Sequence, residues 1–193
     1  AFMIDPDKRS ILYLGNQKYI RKKIKSINQI YNLYKTEIDT LTFETKSANE
    51  LNIRFNSIYQ DGPISLNPVT KMLYLTRTTN KVRKIKNIQL AIYQIPYDKF
   101  GKELPKLLEL NFDDYSSIHP TISADGKVLY FSSDRPGGYG GMDLYYVNIE
   151  DDKIAGEITN MGPDINTEND EVFPFIFSDK YLFYSSNKGS NQK

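Results

Sequence analysis

Short runs of alternating apolar and polar residues recur along the chain, and three stretches follow one template. Each copy has a proline, a short apolar run, a turn, and a second apolar run that includes aromatic side chains. The prolines are Pro63, Pro120 and Pro174, which gives a period of about 55 residues, in the range typical of solenoids and propellers. Alternation with a period of two predicts β-strands that bury one face.

The copy at residues 118–160 predicts four antiparallel strands. Pro120 is expected to open the first strand, because proline cannot donate to a sheet ladder. The Asp125-Gly126 pair predicts a tight hairpin turn, since glycine accepts a positive φ without steric cost. The four predicted strands cover residues 121–123, 128–133, 143–149 and 154–160. Four strands joined by hairpins form one blade of a β-propeller.

The other copies follow the same order, and the predicted fold class is all-β. Third strands are expected at 33–38 and 90–95, and fourth strands near 42–48 and 103–110. The predicted β-propeller has four-stranded antiparallel blades at about 1–48, 62–110 and 118–160, with a half blade at 173–188. The alternation assigns six side chains to buried faces between blades: Leu73, Leu75, Leu129, Phe131, Leu182 and Tyr184.

Three and a half blades are fewer than the number that closes a propeller ring, which is at least about four. We therefore expect the chain to be part of a larger propeller, with unpaired strand edges that favour aggregation of the isolated fragment. A small β-sandwich with a decayed repeat is the alternative, because short strands with regular turns occur in both folds.

Composition adds few constraints on function. The 25 Lys and Arg residues balance 24 Asp and Glu residues, so no overall positive field favours a nucleic-acid partner. The chain has no cysteine, which excludes disulfides and thiolate metal sites. No apolar run is long enough to span a bilayer as a helix. The start of the sequence resembles neither a signal peptide nor an initiator methionine.

Three features invite a chemical interpretation, and each has a structural alternative that we favour. His119, the only histidine, has no nucleophile motif beside it, so catalysis is not expected. The acidic loop 164–170 alternates oxygen-bearing side chains as calcium loops do, but Asn169 stands where such a loop needs glycine, and capping of backbone N–H groups is favoured. The glycine-rich loop 137–141 precedes a strand instead of a helix, so a hairpin loop is favoured over a phosphate site.

The template of Pro, Ser, Asp-Gly-Lys and Leu-Tyr-Phe-Ser resembles TolB-like, or PD40, β-propeller repeats. The sequence segments 132–145 and 160–175 also resemble the propeller of PorE-type, OmpA-like proteins, which belong to the type IX secretion and gliding machinery of Bacteroidota. This resemblance implies a periplasmic domain associated with the outer membrane. It implies other cell-envelope proteins as partners, and peptidoglycan only through a domain that is not in this sequence.

The favoured function is therefore a non-catalytic scaffold that docks other proteins, with no cofactor and no metal. The competitors are a propeller that binds a small ligand or glycan, and the accessory propeller of a hydrolase. Connectors between second and third strands carry basic clusters in two blades, and equivalent connectors emerge on one face of a propeller. The candidate partner-binding residues are Arg21, Lys22, Lys23, Lys25, Lys81, Arg83, Lys84, Lys86, Arg135 and Tyr139.

Overall fold

The structure is a computed structural model, and among the residues that it describes fourteen strands form four antiparallel sheets, three of them four-stranded. Within each sheet the strands are hydrogen-bonded in sequence order, so strands that follow one another in the chain are neighbours in the sheet. The predicted fold class, four-stranded antiparallel blades, is confirmed. The structure describes residues 2–4, 10–19, 28–39, 41–42, 44–45, 49–50, 61–78, 89–100, 102–111 and 114–188.

The strands occupy these positions. The first sheet contains β1 (Phe2–Ile4), β2 (Ser10–Tyr19), β3 (Asn28–Glu37) and β4 (Asn49–Glu50). The second contains β5 (Asp61–Leu66), β6 (Met72–Thr78), β7 (Leu90–Pro96) and β8 (Lys106–Leu107), with a 3₁₀ turn at Tyr97–Lys99. The third contains β9 (Ser117–Ile122), β10 (Val128–Ser133), β11 (Asp143–Glu150) and β12 (Lys153–Asn160). A final hairpin consists of β13 (Glu171–Phe177) and β14 (Tyr181–Ser186).

The template prolines lie inside the first strands of their sheets, whereas the sequence placed Pro120 at the start of its strand. In β5, β9 and β13 the pairing register shifts around the proline, which marks a β-bulge. The preceding residues His119 and Phe173 have φ angles of 56° and 55°. Because a bulged residue leaves the ladder, the missing proline N–H costs no hydrogen bond, and the strand continues on both sides.

The fourth strands of the first and second sheets differ from the prediction, whereas β12 (Lys153–Asn160) covers the predicted 154–160. In the first sheet, Ile38 and Thr45 form an isolated bridge, and β4 follows at 49–50. The segment between the two bridge residues is a turn, because the Asp39 carboxylate accepts the N–H groups of Leu41 and Thr42.

In the second sheet, β8 covers only two residues of the predicted 103–110 segment. The side-chain amide of Asn111 bonds both the N–H and the C=O of Ile92, and so takes the place of a longer strand partner.

Two hydrophobic clusters lie on opposite faces of the second sheet. Leu73, Leu75 and Ile95 form one of them. The other lies between the second and third sheets, where Tyr74 and Ile92 pack with a set that includes Leu129, Phe131 and Val147. Strand β9 contacts β5, β6 and β7, and β13 contacts β9, β10 and β11, so each first strand packs across the preceding sheet.

Four of the six side chains predicted to be buried, Leu73, Leu75, Leu129 and Phe131, are fully buried. The prediction is wrong for the last hairpin, where Leu182 is half-buried and Tyr184 is 38% exposed. Among the described elements, β14 packs closely only against β13, so these side chains have few apolar neighbours. Within the part of the chain that the structure describes, no helix has the length and apolarity needed to cross a membrane.

Candidate functional site

The three connectors predicted to form a docking face occupy the same position in their sheets. Two of them, between β2 and β3 and between β6 and β7, carry the basic clusters, and the third joins β10 to β11. The third connector, residues 134–142, is described and is here called the glycine-rich connector. Eight predicted residues lie outside the described residues and stay predictions: Arg21, Lys22, Lys23, Lys25, Lys81, Arg83, Lys84 and Lys86.

The glycine-rich connector is folded around the carboxylate of Asp143, which is 1% exposed. Asp143 accepts hydrogen bonds from the backbone N–H groups of Tyr139 (2.6 Å) and Gly140 (3.2 Å), and from the Asn160 amide (2.9 Å). Bonds from N–H donors to a buried carboxylate are among the stronger hydrogen bonds in proteins. They hold the loop so that the Tyr139 ring, at its tip, is 50% exposed.

The glycines of this connector are needed mainly for close approach. Only Gly137 has a positive φ, 89°, although the sequence predicted a positive φ as the general reason for glycine in this loop. A Cβ on Gly140 would collide with the carbonyl oxygens of Thr167 and Asn169, and one on Gly141 would collide with the Asp170 carboxylate. The connector is therefore pressed against the segment that leads from the third sheet to the last hairpin.

Arg135, the other described candidate for the partner-binding face, is half-buried against the third blade. Its guanidinium is about 5 Å from the ring centres of Tyr115, Phe131 and Tyr145, and its Nε donates to the Ser133 hydroxyl. Burial lowers the pKa of Arg135 from its ordinary value. Cation–π contacts of this kind stabilise the blade. Since Arg135 is half-buried and the Tyr139 ring is 50% exposed, Tyr139 is the more accessible of the two described candidates.

The acidic loop 164–170 caps backbone groups, as the sequence analysis favoured. The Asn166 side chain is buried and bonds both the N–H and the C=O of Leu144. Asp170 accepts the N–H of Met142 and bonds the Asn187 amide. In the described ranges, no three histidine or carboxylate side chains are grouped so that they could hold a metal ion.

Two buried acidic residues that organise this end of the blades, Asp143 and Glu171, were missed by sequence reasoning. Glu171 is fully buried and accepts hydrogen bonds from the Thr167 N–H, the Thr167 hydroxyl and the Ser186 hydroxyl. Both residues stand at the first position of a strand, directly after a polar loop. A carboxylate at that boundary is the one signal that could have identified them, because it is placed to accept N–H groups of the loop.

His119 joins three structural units. Its N–H donates to the Thr76 hydroxyl of β6 (2.8 Å), and its ring stacks on Phe173 of β13 at 3.8 Å between ring centres. Its Nδ1 accepts the Phe173 N–H (3.3 Å). Burial lowers the pKa of His119 to about 4. These contacts give the only histidine of the chain a structural role between neighbouring sheets.

Comparisons with solved structures identify the fold. The match to TolB from Acinetobacter baumannii covers 96% of this chain and 37% of the TolB chain, with 18% identity and a TM-score of 0.54. A puromycin hydrolase S511A mutant complexed with PGG matches 81% of this chain and 24% of its own, with 14% identity and a TM-score of 0.54. The β-propeller domain of the Trilobed protease from Pyrococcus furiosus matches 92% of this chain and 42% of its own, with 14% identity and a TM-score of 0.50.

This chain therefore spans less than half the length of each of these proteins. No protein-family model matches the sequence, and no curated protein matches it significantly. At these identities the likeness concerns the fold alone. The repeated four-stranded sheets and the structural neighbours together show that the chain has a β-propeller fold similar to that of TolB, with about three blades described.

Proposed function

We propose that this chain is a non-catalytic β-propeller scaffold that docks other cell-envelope proteins through its connectors between second and third strands. The observation that carries the proposal is the equivalent position of these three connectors in successive sheets. Two of them are basic in sequence, and the third presents a half-exposed Tyr139 on a loop held by Asp143. An exposed tyrosine in one connector, together with basic residues in the sequences of the two equivalent connectors, suits recognition of an acidic protein surface.

We further propose that the scaffold belongs to an outer-membrane-associated component of type IX secretion and lies in the periplasm. The support is the resemblance of the strings at 132–145 and 160–175 to PorE-type propellers. In the structure the first of these segments contains the glycine-rich connector, which is part of the proposed docking face, and the second contains the residues against which that connector packs.

The test is charge reversal of four connector residues, Arg21, Lys22, Arg83 and Lys84, in a bacterium that has type IX secretion. Crosslinked partners of the wild-type and reversed proteins are compared by quantitative mass spectrometry at low and high salt. We expect the reversed protein to recover less of its acidic envelope partners at low salt, and its melting temperature to change little, because steering by surface charges is screened by salt. Equal recovery at low salt contradicts the docking face, and recovery without any type IX component contradicts the assignment to that machinery.

An accessory propeller of a hydrolase is the second candidate, because two of the structural neighbours are a hydrolase and the propeller domain of a protease. The two functions differ in whether the natural protein carries a nucleophile. A fluorophosphonate probe labels active serine hydrolases, and we expect none of it on the protein purified from its source. Stoichiometric labelling contradicts the scaffold and supports the hydrolase.

A further inference from the structure

Strand β14 has an open edge that its counterparts in the other sheets do not have. In the second and third sheets the second strand is paired on both sides, β6 with β5 and β7, and β10 with β9 and β11. Among the residues that the structure describes, β14 is paired with β13 alone. The backbone groups along the other side of Tyr181–Ser186 are therefore open to a further strand.

The pairing register shows which backbone groups lie at this edge. The Ile176 N–H of β13 donates to the Thr121 hydroxyl of β9 (3.5 Å), so it points away from β14. Leu182 stands directly opposite Ile176. In an antiparallel pair, opposed residues alternate between those that exchange hydrogen bonds with each other and those whose backbone groups point outward. The N–H and C=O of Leu182 consequently lie at the open edge.

The far end of β14 is held in place and gives the same direction. The Asn187 N–H donates to the Asp170 carbonyl (3.2 Å), so it faces β13. Tyr184 stands three residues earlier, and by the same alternation its N–H faces the open edge. The Ser186 hydroxyl donates to the buried Glu171 carboxylate (2.7 Å). A partner does not have to order a strand that is already fixed at this end, which lowers the entropic cost of binding.

The edge of β14 has none of the devices that protect the outer edges of the other sheets. Strands β4 and β8 have only two residues each. Strand β12 carries Lys153 and Glu157, and its register shifts near Gly156, which has a φ of 83°. Short length, charge and bulges of this kind keep an edge from pairing with another chain. Strand β14 has six residues with no charge, proline or glycine, so its edge is suited to pairing.

The third sheet shows which strand fits such an edge. Strands β10 and β14 both have six residues and end in two serines. Opposite residues 130–131 of β10, strand β11 places Tyr146 and Tyr145, with 6.2 and 6.0 Å between the paired ring centres. Phe183 and Tyr184 occupy the equivalent positions of β14 and are 59% and 38% exposed. A strand with two adjacent aromatic residues would form both cross-strand pairs, and such pairs stabilise antiparallel strands.

We propose that the open edge of β14 binds an extended, apolar segment of a partner protein by antiparallel strand addition. The segment exchanges backbone hydrogen bonds with Leu182 and Tyr184, and its two adjacent aromatic residues pack beside Phe183 and Tyr184. In this mode of recognition the main chain supplies the affinity and alternate side chains supply the specificity. The site uses none of the basic connectors, so it goes beyond the proposed docking face and does not depend on it.

The first experiment measures binding of labelled peptides to the whole chain by fluorescence anisotropy. The probe is a fluorescein-labelled peptide with the sequence of residues 142–150, which contains the strand that pairs with β10. Two control peptides carry N-methyl groups on alternate amides, one peptide on one edge of the strand and the other peptide on the opposite edge. We expect one control to bind at least about tenfold more weakly than the probe and the other within about threefold, because strand addition uses one edge. No binding of the probe, or equal binding of the two controls, overturns the proposal.

The second experiment compares two variants at one position of the open edge. Tyr184→Ala removes the ring and keeps the N–H, whereas Tyr184→Pro also removes the outward N–H, and proline is tolerated on edge strands. We expect the proline variant to bind the probe at least about tenfold more weakly than the alanine variant, with similar melting temperatures. Equal binding by the two variants overturns the proposal. If the proline variant melts clearly lower, the N-methylated peptides on the wild type decide. A wild-type dimer in sedimentation velocity that Tyr184→Pro dissociates, without binding of the probe, overturns the proposal in favour of a second copy.

Discussion

His119 makes the stability of the contact between blades dependent on pH. The neutral ring accepts the Phe173 N–H through Nδ1 and stacks on the Phe173 ring, and protonation would turn that acceptor into a donor. Burial lowers the pKa of His119 to about 4, below its ordinary value of 6.5. Between these two values the unfolded chain binds more protons than the folded one, so stability falls as pH falls.

The pKa values set the size of this effect. The two pKa values of His119, in the unfolded and the folded chain, differ by about 2.5. This difference lowers the free energy of unfolding by about 3 kcal/mol when the pH lies below both values, and about 2 kcal/mol of that loss occurs between pH 7.5 and pH 5. Below pH 5 carboxylates also titrate, so the upper part of the window is the informative one. The free energy of unfolding is measured by urea denaturation followed by circular dichroism, because the chain has no tryptophan.

The matched control is His119→Asn. Asparagine tolerates the φ of 56° and offers an acceptor oxygen to the Phe173 N–H, but it does not titrate. We expect the wild type to lose about 2 kcal/mol more than this variant between pH 7.5 and pH 5. The single histidine also gives one imidazole signal in NMR spectra, whose midpoint should lie near pH 4 in the folded protein. A midpoint above 6, or parallel stability curves for the two proteins, would refute the reasoning.

Three further predictions concern the third blade and the last hairpin. Glu171→Ala should lower the free energy of unfolding by about 3 kcal/mol in urea denaturation, because three donors lose a buried acceptor; a loss under 1 kcal/mol would contradict this. Gly140→Ala should lower the melting temperature clearly and Gly137→Asn only slightly, since a Cβ at position 140 collides with backbone atoms and a Cβ at position 137 does not. Equal shifts would show that close approach of the backbone does not explain the glycine at position 140. The chain should bind the dye ANS and scatter light, because Phe175 and Phe183 are 56% and 59% exposed on one hairpin. Replacing them with Lys and Glu should reduce both signals, and unchanged signals would contradict this.

The blade architecture was predictable because its signals are local. The period-two alternation around Leu129 and Phe131 and the Asp125-Gly126 turn lie within one hairpin, and the repeat shows them more than once. The rule that proline opens a strand did not predict the bulge at Pro120. A proline inside a strand needs a bulge, and this one is held by the hydrogen bond from the His119 N–H to Thr76 of the neighbouring sheet, which a local pattern does not show.

The position of the glycine-rich connector in its sheet was predictable, but its contacts were not. The alternation placed the glycine-rich connector between a second and a third strand, and the structure agrees. The position of Arg135 among three aromatic rings depends on side chains from different strands and a loop, which no local pattern encodes. The carboxylate of Asp143 likewise acts through N–H groups whose direction depends on the folded loop.

Site-specific photocrosslinking tests the proposed docking face most directly. A benzoylphenylalanine is placed at Tyr139 in one protein and at Leu104 in another, since both side chains are well exposed, at 50% and 66%, and lie at opposite ends of the blades. After irradiation in cells, adducts are resolved by gel shift and identified by mass spectrometry. The account predicts discrete adducts with acidic envelope proteins from position 139 and none of these from position 104. The same adducts from position 104, with none from position 139, would contradict it.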